Sequence, residues 1–274
     1  VSAALAAIPY LQVPDLHLGP IPIRPFGALV GTGILVGAWA AGLQAKRLGL
    51  DANRFSALSL LTIVSGLVIS HVADTLAYRP EVVLRRPWEL LLVHEGLSSF
   101  GGFFGAAVGF LGYGRGRIHL WKAADAIGFG MPIAWLFGRA GCAVVHDHPG
   151  VLSSSALAVA FPGGSRFDLG LLELLLTPLL VGVALLAPRV WRWPGSTIAA
   201  VSVGYAVVRF PLDFLRAPPE QGGDVRYLGL TPGHYAAVAL LALGLYLFRR
   251  SARAARAEAE AAASRGGKQK RRER

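Results

Sequence analysis

A chain of 274 residues that is 54% hydrophobic and only 16% charged, with a mean hydropathy of +0.51, has too little polar surface for an ordinary soluble domain; it is a polytopic membrane protein. The formal net charge of +11 lies largely in the tail and between apolar segments, and without a basic soluble domain it gives no nucleic-acid partner. A single cysteine, Cys142, excludes an internal disulfide and any cysteine-based metal cluster.

The opening VSAALAAIPYLQVPDLHLGPIPIR has no basic region ahead of an apolar run, so no cleavable signal peptide is expected. Apolar stretches of the length that crosses a bilayer, about 20 residues, lie near 22–45, 56–77, 90–112, 120–145, 169–187, 195–214 and 232–248. They predict an all-α integral membrane domain over residues 1–248 with seven transmembrane helices, followed by a basic tail over 249–274. The connections KRLGLDANR, YGRGRIHLWK and PRVWRW fall on the same side as the tail and are basic. The positive-inside rule makes that side cytoplasmic and puts the N-terminus outside. Arg79, Arg85 and Arg86 on the outer side weaken this bias without reversing it. The tail is expected to anchor the topology, with anionic lipid as its contact. Two long outer segments, 146–168 and 214–231, are rich in Gly, Pro and polar residues and are expected to roof a site near the outer leaflet.

Polar residues stand out against this background. His71 and Asp74 are three apart on one face of the second helix. In HEGLSSFGGFFGAAVG, the glycines Gly101, Gly105 and Gly109 recur every four residues, a packing stripe, while His94, Glu95, Ser98 and Ser99 put polar groups into an apolar segment. Arg139 ends the run AIGFGMPIAWLFGRAGC and Arg209 lies inside TIAAVSVGYAVVRFPLDFLR. An arginine at membrane depth costs roughly 2.5 kcal/mol or more unless it lines a polar cavity, so both are site candidates. In GRAGCAVVHDHPG, His146, Asp147 and His148 form too sparse a pattern to predict a metal; an imidazole acting in acid/base chemistry is the stronger expectation, with Cys142 an inert buried thiol. In RFPLDFLR, Arg209 and Asp213 share a helix face, Arg216 follows two turns after Arg209, and Pro211 interrupts regular hydrogen bonding. Pairing of Arg209 with Asp213 leaves surplus positive charge on Arg139 and Arg216, which predicts an anion; a guanidinium fork matches phosphate. Glu173 is a lone carboxylate that can partner a buried arginine, and His234 in LTPGHY is expected to cap a helix rather than react.

The order of these motifs resembles the prolipoprotein diacylglyceryl transferase family over roughly residues 20–248: IRPFG, a polar-marked second helix, GLSSFGGFFG, GRAGC, RFDLGLLE, YAVVRFPLDFLR and LTPGHY. The resemblance implies a bacterial inner-membrane enzyme with seven transmembrane helices that needs no cofactor. Such an enzyme moves the diacylglyceryl group of phosphatidylglycerol onto the lipobox cysteine of a preprolipoprotein and releases glycerol 1-phosphate. It also implies that Arg139 and Arg209 hold the phosphate, with Asp213 in place of a glutamate and Glu173 as the family's carboxylate; Arg216 is expected beside them on the phosphate, and His71, Gly101 and Gly102 are supporting candidates. Phe100 stands where the family's SFHGG motif has a histidine, Phe26 where a tyrosine is typical, and His71 where an arginine often lies. GRAGCAVVHDHPG replaces GRxGNFxNGE. Either His146, His148 or His94 has taken over as base, or the protein binds phospholipid as a non-catalytic accessory of lipoprotein maturation. A transporter is disfavoured, since no internal repeat is evident.

Overall fold

The computed structural model describes residues 8–19, 21–78, 80–91 and 96–272; the sequence candidates His94 and Glu95 lie outside the described residues. The first strands, β1 (Leu16–Leu18) and β2 (Ile21–Ile23), pair antiparallel and lead into α1 (Pro25–Arg47). There follow α2 (Ala52–Tyr78), the short α3 (Pro80–Arg85), α4 (Ser99–Gly114) and α5 (Leu120–Val145). Three strands, β3 (Pro149–Leu152), β4 (Val159–Phe161) and β5 (Gly164–Asp168), precede α6 (Leu169–Val190), α7 (Ser196–Leu212) and α8 (Pro232–Arg272).

Six of these helices are long and apolar enough to cross a membrane. The segment predicted at 90–112 is realised differently. A 3-10 turn spans Pro87–Leu91, and the helix begins only at Ser99, so α4 has 16 residues and a length of about 24 Å, short of a hydrocarbon core of about 30 Å. Large apolar side chains such as Leu35, Trp39, Phe104, Leu179 and Leu186 face outward, whereas Ala123, Ala126, Ala199, Ser196 and Thr197 are buried. Small residues inside and large apolar ones outside is the arrangement of helices that pack in lipid, where burial of leucine gains nothing over contact with acyl chains.

The chain divides into two compact units, Gly42–Ile127 and the remainder, Val1–Ala41 with Gly128–Arg274. In the first, α2 packs along α4. A Cβ on Gly101 would come within 2.6 Å of the Ala73 Cβ and 2.9 Å of the Ile69 carbonyl oxygen, so the glycine stripe sets the closeness of these helices. The serines that looked unusual in an apolar segment have a local explanation. Ser98 caps α4, its hydroxyl accepting from the Gly101 N–H, and Ser70 donates from its hydroxyl to the Ser98 carbonyl at 2.8 Å.

In the second unit, Leu169, Leu172 and Leu212 form a buried core between α6 and α7, with Phe167, Leu176, Val208 and Leu215 packed on it. The outer segment 146–168, read from the sequence as a loop, contains an antiparallel sheet of order β3-β5-β4. Its outer neighbours are Ile8, which bridges to Val159, and Arg216, which bridges to Gly150. Gly150 lies so close to the Phe167 carbonyl oxygen that a Cβ would sit 3.0 Å from it; glycine is what lets the strand reach Arg216. The last helix runs unbroken across residue 248 for 41 residues, about 60 Å, twice the thickness of a hydrocarbon core.

Candidate active site

Four helical elements of the second unit bring the charged residues together. Arg139 stands near the end of α5, Glu173 in the first turns of α6, Arg209 near the end of α7, and Asp213 on the 3-10 turn that follows. Pro211 fixes that change of geometry: α7 stops at Leu212, and the Asp213 N–H turns back to the carbonyls of Arg209 and Pro211.

Glu173 is buried, only 3% exposed, and bridges two arginines: its carboxylate lies 2.8 Å from Arg139 Nε and 3.0 Å from Arg209 Nη1. Asp213, fully buried, bridges the next two, at 2.6 Å from Arg209 Nη2 and 2.9 Å from Arg216 Nε. Arg216 continues to Asp224 at 2.8 Å. The result is an alternating chain, Arg139–Glu173–Arg209–Asp213–Arg216–Asp224. The surplus positive charge expected from sequence is therefore absent: each of these three guanidiniums has a carboxylate of its own, because Glu173 arrives from α6 and Asp224 folds back from the loop after Arg216. Capacity for an anion lies in N–H groups instead. Glu173 engages one nitrogen of Arg139 and one of Arg209, and each guanidinium carries further N–H donors.

Aromatic residues complete this wall. Trp135, one helical turn before Arg139, lies under its guanidinium with 4.6 Å from Cζ to the ring centroid. Tyr205, one turn before Arg209, is hydrogen-bonded to Arg139 and meets Trp135 edge to face at 5.6 Å. Both were missed in the sequence, although the repeated aromatic-x3-Arg spacing on two helices was there to be read.

Asp213 is held from α8 as well. Thr231 donates its hydroxyl to the Asp213 carboxylate, and the Thr231 backbone N–H donates to His234 Nδ1 at 3.1 Å while the His234 N–H meets the Thr231 hydroxyl. This is a reciprocal capping box with histidine in the glutamate position, so His234 caps α8 as its place in the sequence indicated. Because Nδ1 accepts from an obligate donor, the proton of the neutral ring is on Nε2. Gly233 belongs to the same device: a Cβ there would lie 2.9 Å from Asp213 Cγ.

The HDHPG turn separates the two histidines. His146 ends α5 in the left-handed conformation (φ 53°), uncommon for a residue with a Cβ. Its Nδ1 lies 2.5 Å from the carboxylate of Asp168, the N-cap of α6, and its Nε2 lies 3.1 Å from the Leu11 carbonyl, with Tyr10 stacked on the ring at 4.5 Å. Both nitrogens face acceptors, so neither offers a lone pair to a substrate. His148 is different: Nδ1 meets Asp147, and the side chain is 28% exposed. Cys142, buried at 7% exposure, lies 3.8 Å from Arg139 Nη1 and is hydrogen-bonded to Asp147. The remaining sequence candidates, His71, Gly101 and Gly102, belong to the other unit, where His71 is buried with Nδ1 3.4 Å from the Gly96 carbonyl.

The family profile of prolipoprotein diacylglyceryl transferase matches residues 15–250, most of the chain and every residue of this charged network. This chain belongs to the prolipoprotein diacylglyceryl transferase family. It is similar to the phosphatidylglycerol–prolipoprotein diacylglyceryl transferase of Allorhizobium ampelinum, 29% identical with 94% of this chain and 96% of that protein covered. The Sinorhizobium medicae enzyme of the same name is 27% identical over 94% of this chain and 99% of its own, and the Bacillus cytotoxicus one is 30% identical over about half of each. As a member of this family the chain is a multi-pass membrane transferase. The ring of Phe26 lies against Gly141, where a Cβ would be 3.0 Å from it, and Phe100 is 59% exposed at the start of α4.

Proposed function

We propose that this chain transfers the diacylglyceryl group of phosphatidylglycerol to the thiol of a prolipoprotein lipobox cysteine, releasing glycerol 1-phosphate. The observation that carries the reading is the buried Arg139–Glu173–Arg209 bridge in a chain of this family: two guanidiniums held together by one carboxylate, each with further N–H donors that suit a phosphate. In the reaction the thiol sulfur forms a bond to the terminal glyceryl carbon, and the C–O bond to phosphate breaks with its electron pair leaving on the phosphate oxygen. Arg139, Arg209 and Arg216 hold that phosphate and stabilise the charge that develops on it. Asp213 and Glu173 fix the arginines, and the HDHPG turn beside Arg139 is where the thiol is activated.

The same reading places the protein in a bacterial inner membrane with seven crossings, N-terminus outside and C-terminus inside. Parity supports α4 as the seventh. If α4 did not cross, the basic connection YGRGRIHLWK would lie opposite KRLGLDANR, against the positive-inside rule. A 16-residue helix crosses with local thinning of the bilayer or with its flanks reaching the interfaces.

The experiment is direct. The purified protein is placed in phosphatidylglycerol vesicles with a lipobox peptide, and the thioether product is sought by mass spectrometry. Product that falls by about 10²-fold or more in Arg209→Gln supports the reading. Lipid bound without turnover, under conditions in which a family enzyme turns over, replaces it with the accessory role, for which the exposed Phe100 in the histidine position is the supporting observation.

A further inference from the structure

Cys142, Asp147 and His148 offer a thiol, a carboxylate and an imidazole whose ligand atoms all lie within 4.8 Å of one another. Sequence spacing alone does not give this. On a continuous helix, a residue five positions after Cys142 would be about 140° around the axis from it. The chain instead reverses at His146: its left-handed φ of 53° ends α5, its N–H still bonds the Cys142 carbonyl at 2.9 Å, and the next two residues fold back over the last turn. The reversal is fastened on its far side, because His146 is clamped by Asp168 and the His148 carbonyl accepts from the Leu169 N–H at 3.0 Å. Three different donor atoms are thus gathered at one point by a backbone conformation that is itself unfavourable for histidine.

We propose that Cys142, Asp147 and His148 hold a zinc-class divalent cation that binds the acceptor thiol as a thiolate; the second half of this statement rests on the transfer reading above. The donor set selects the metal class: a thiolate with an imidazole and one carboxylate suits zinc and disfavours magnesium or calcium, which take oxygen ligands. Three protein ligands with an open fourth position are the pattern of a zinc site that works on a substrate. Ligand atoms around tetrahedral zinc are about 3.3–3.8 Å apart, so the three side chains need only small rotations to close on an ion.

The surrounding charges are compatible. A Cys142 thiolate and the Asp147 carboxylate neutralise a divalent ion. The nearest cation, Arg139, is already balanced by Glu173 at 2.8 Å and approaches the sulfur through Nη1 at 3.8 Å. His146, the other imidazole of the turn, is turned away onto Asp168 and Leu11 and is not a ligand. In this chemistry the acceptor thiol gives up its proton to solvent on binding the cation, so the general base that Phe100 cannot provide is not required. The thiolate then attacks the glyceryl carbon and the phosphate leaves toward Arg139 and Arg209 with the electron pair of the broken C–O bond. His148 becomes a ligand rather than a free base.

Cobalt(II) is the probe, because it occupies zinc sites and reports thiolate ligation through its charge-transfer absorption. The full-length protein in detergent, stripped with a chelator, is titrated with cobalt, and bound metal is counted by elemental analysis. One equivalent with a thiolate band is expected. The band should disappear in Cys142→Ser, and binding should weaken by at least tenfold in His148→Ala. A lipobox peptide should then intensify the charge-transfer band, and its Cys→Ser version should not. No stoichiometric cobalt in the wild-type protein, or a spectrum indifferent to the peptide thiol, overturns the proposal. A spectrum that responds to the thiol in a protein that transfers nothing from phosphatidylglycerol supports this site and overturns the transfer reading instead.

Discussion

The arginine chain and the HDHPG turn are neighbours that share Arg139, yet they are built on opposite principles. The arginine chain is a closed ionic arrangement. Its inner carboxylates, Glu173 and Asp213, are buried, its charges alternate, and it hangs from the ends of long helices and one capped helix start. The turn is a convergence of neutralisable donors at the end of one helix, with Asp147 and His148 partly open to solvent. The first is suited to holding a fixed anion in one orientation, the second to exchanging a ligand. A transferase as proposed above needs both, one to hold the phosphate and one to receive the thiol.

Removing the shared counter-ion tests the closed half most severely. Glu173→Ala leaves Arg139 and Arg209 facing each other in a buried site, and should cost about 3–5 kcal/mol of stability, read as a lowered unfolding temperature in detergent. If the loss is small, the arginines are solvated and the closed description is wrong. Next in size, Arg209→Lys keeps the charge and discards the fork that reaches both Glu173 and Asp213. Transfer should fall by about 10²-fold with stability less affected, measured as product formation at saturating lipid. Thr231→Val removes the hydroxyl that serves both Asp213 and the α8 cap, and should cost about 1–2 kcal/mol in the same unfolding assay. Asp224→Asn should be the mildest change, below about 1 kcal/mol, because Asp224 is 46% exposed at the outer end of the arginine chain. The gradient from Glu173 to Asp224 is itself the test: equal effects along the chain would mean that burial does not set its energetics.

Much of this was legible beforehand. Apolar length gave the six long helices to within a few residues at most ends, and the energetic oddity of Arg139 and Arg209 picked out the two residues that Glu173 joins. His234 as a helix cap followed from Thr-Pro-Gly-His alone. What was not legible has identifiable causes. In the stretch predicted at 90–112 the long helix starts only at Ser99, because hydropathy cannot see that the Ser98 hydroxyl caps it by accepting from the Gly101 N–H. The 146–168 loop contains a sheet because short strands rich in Gly and Ser carry little pattern until Ile8 and Arg216 bridge to them. The closeness of Cys142 to Asp147 and His148 is not legible in residue spacing, because they reach it only through the left-handed turn at His146.

The sequence by itself determined the membrane setting, the helices and the residues too polar for their depth, since each of these depends on local composition and on the cost of placing charge in hydrocarbon. Only the tertiary structure decided how those charges are settled. Whether Arg139 and Arg216 are surplus cations or members of a neutral chain depends on Glu173 and Asp224 arriving from other elements, and Coulomb energy is a matter of distance in space, which residue spacing along the chain does not fix.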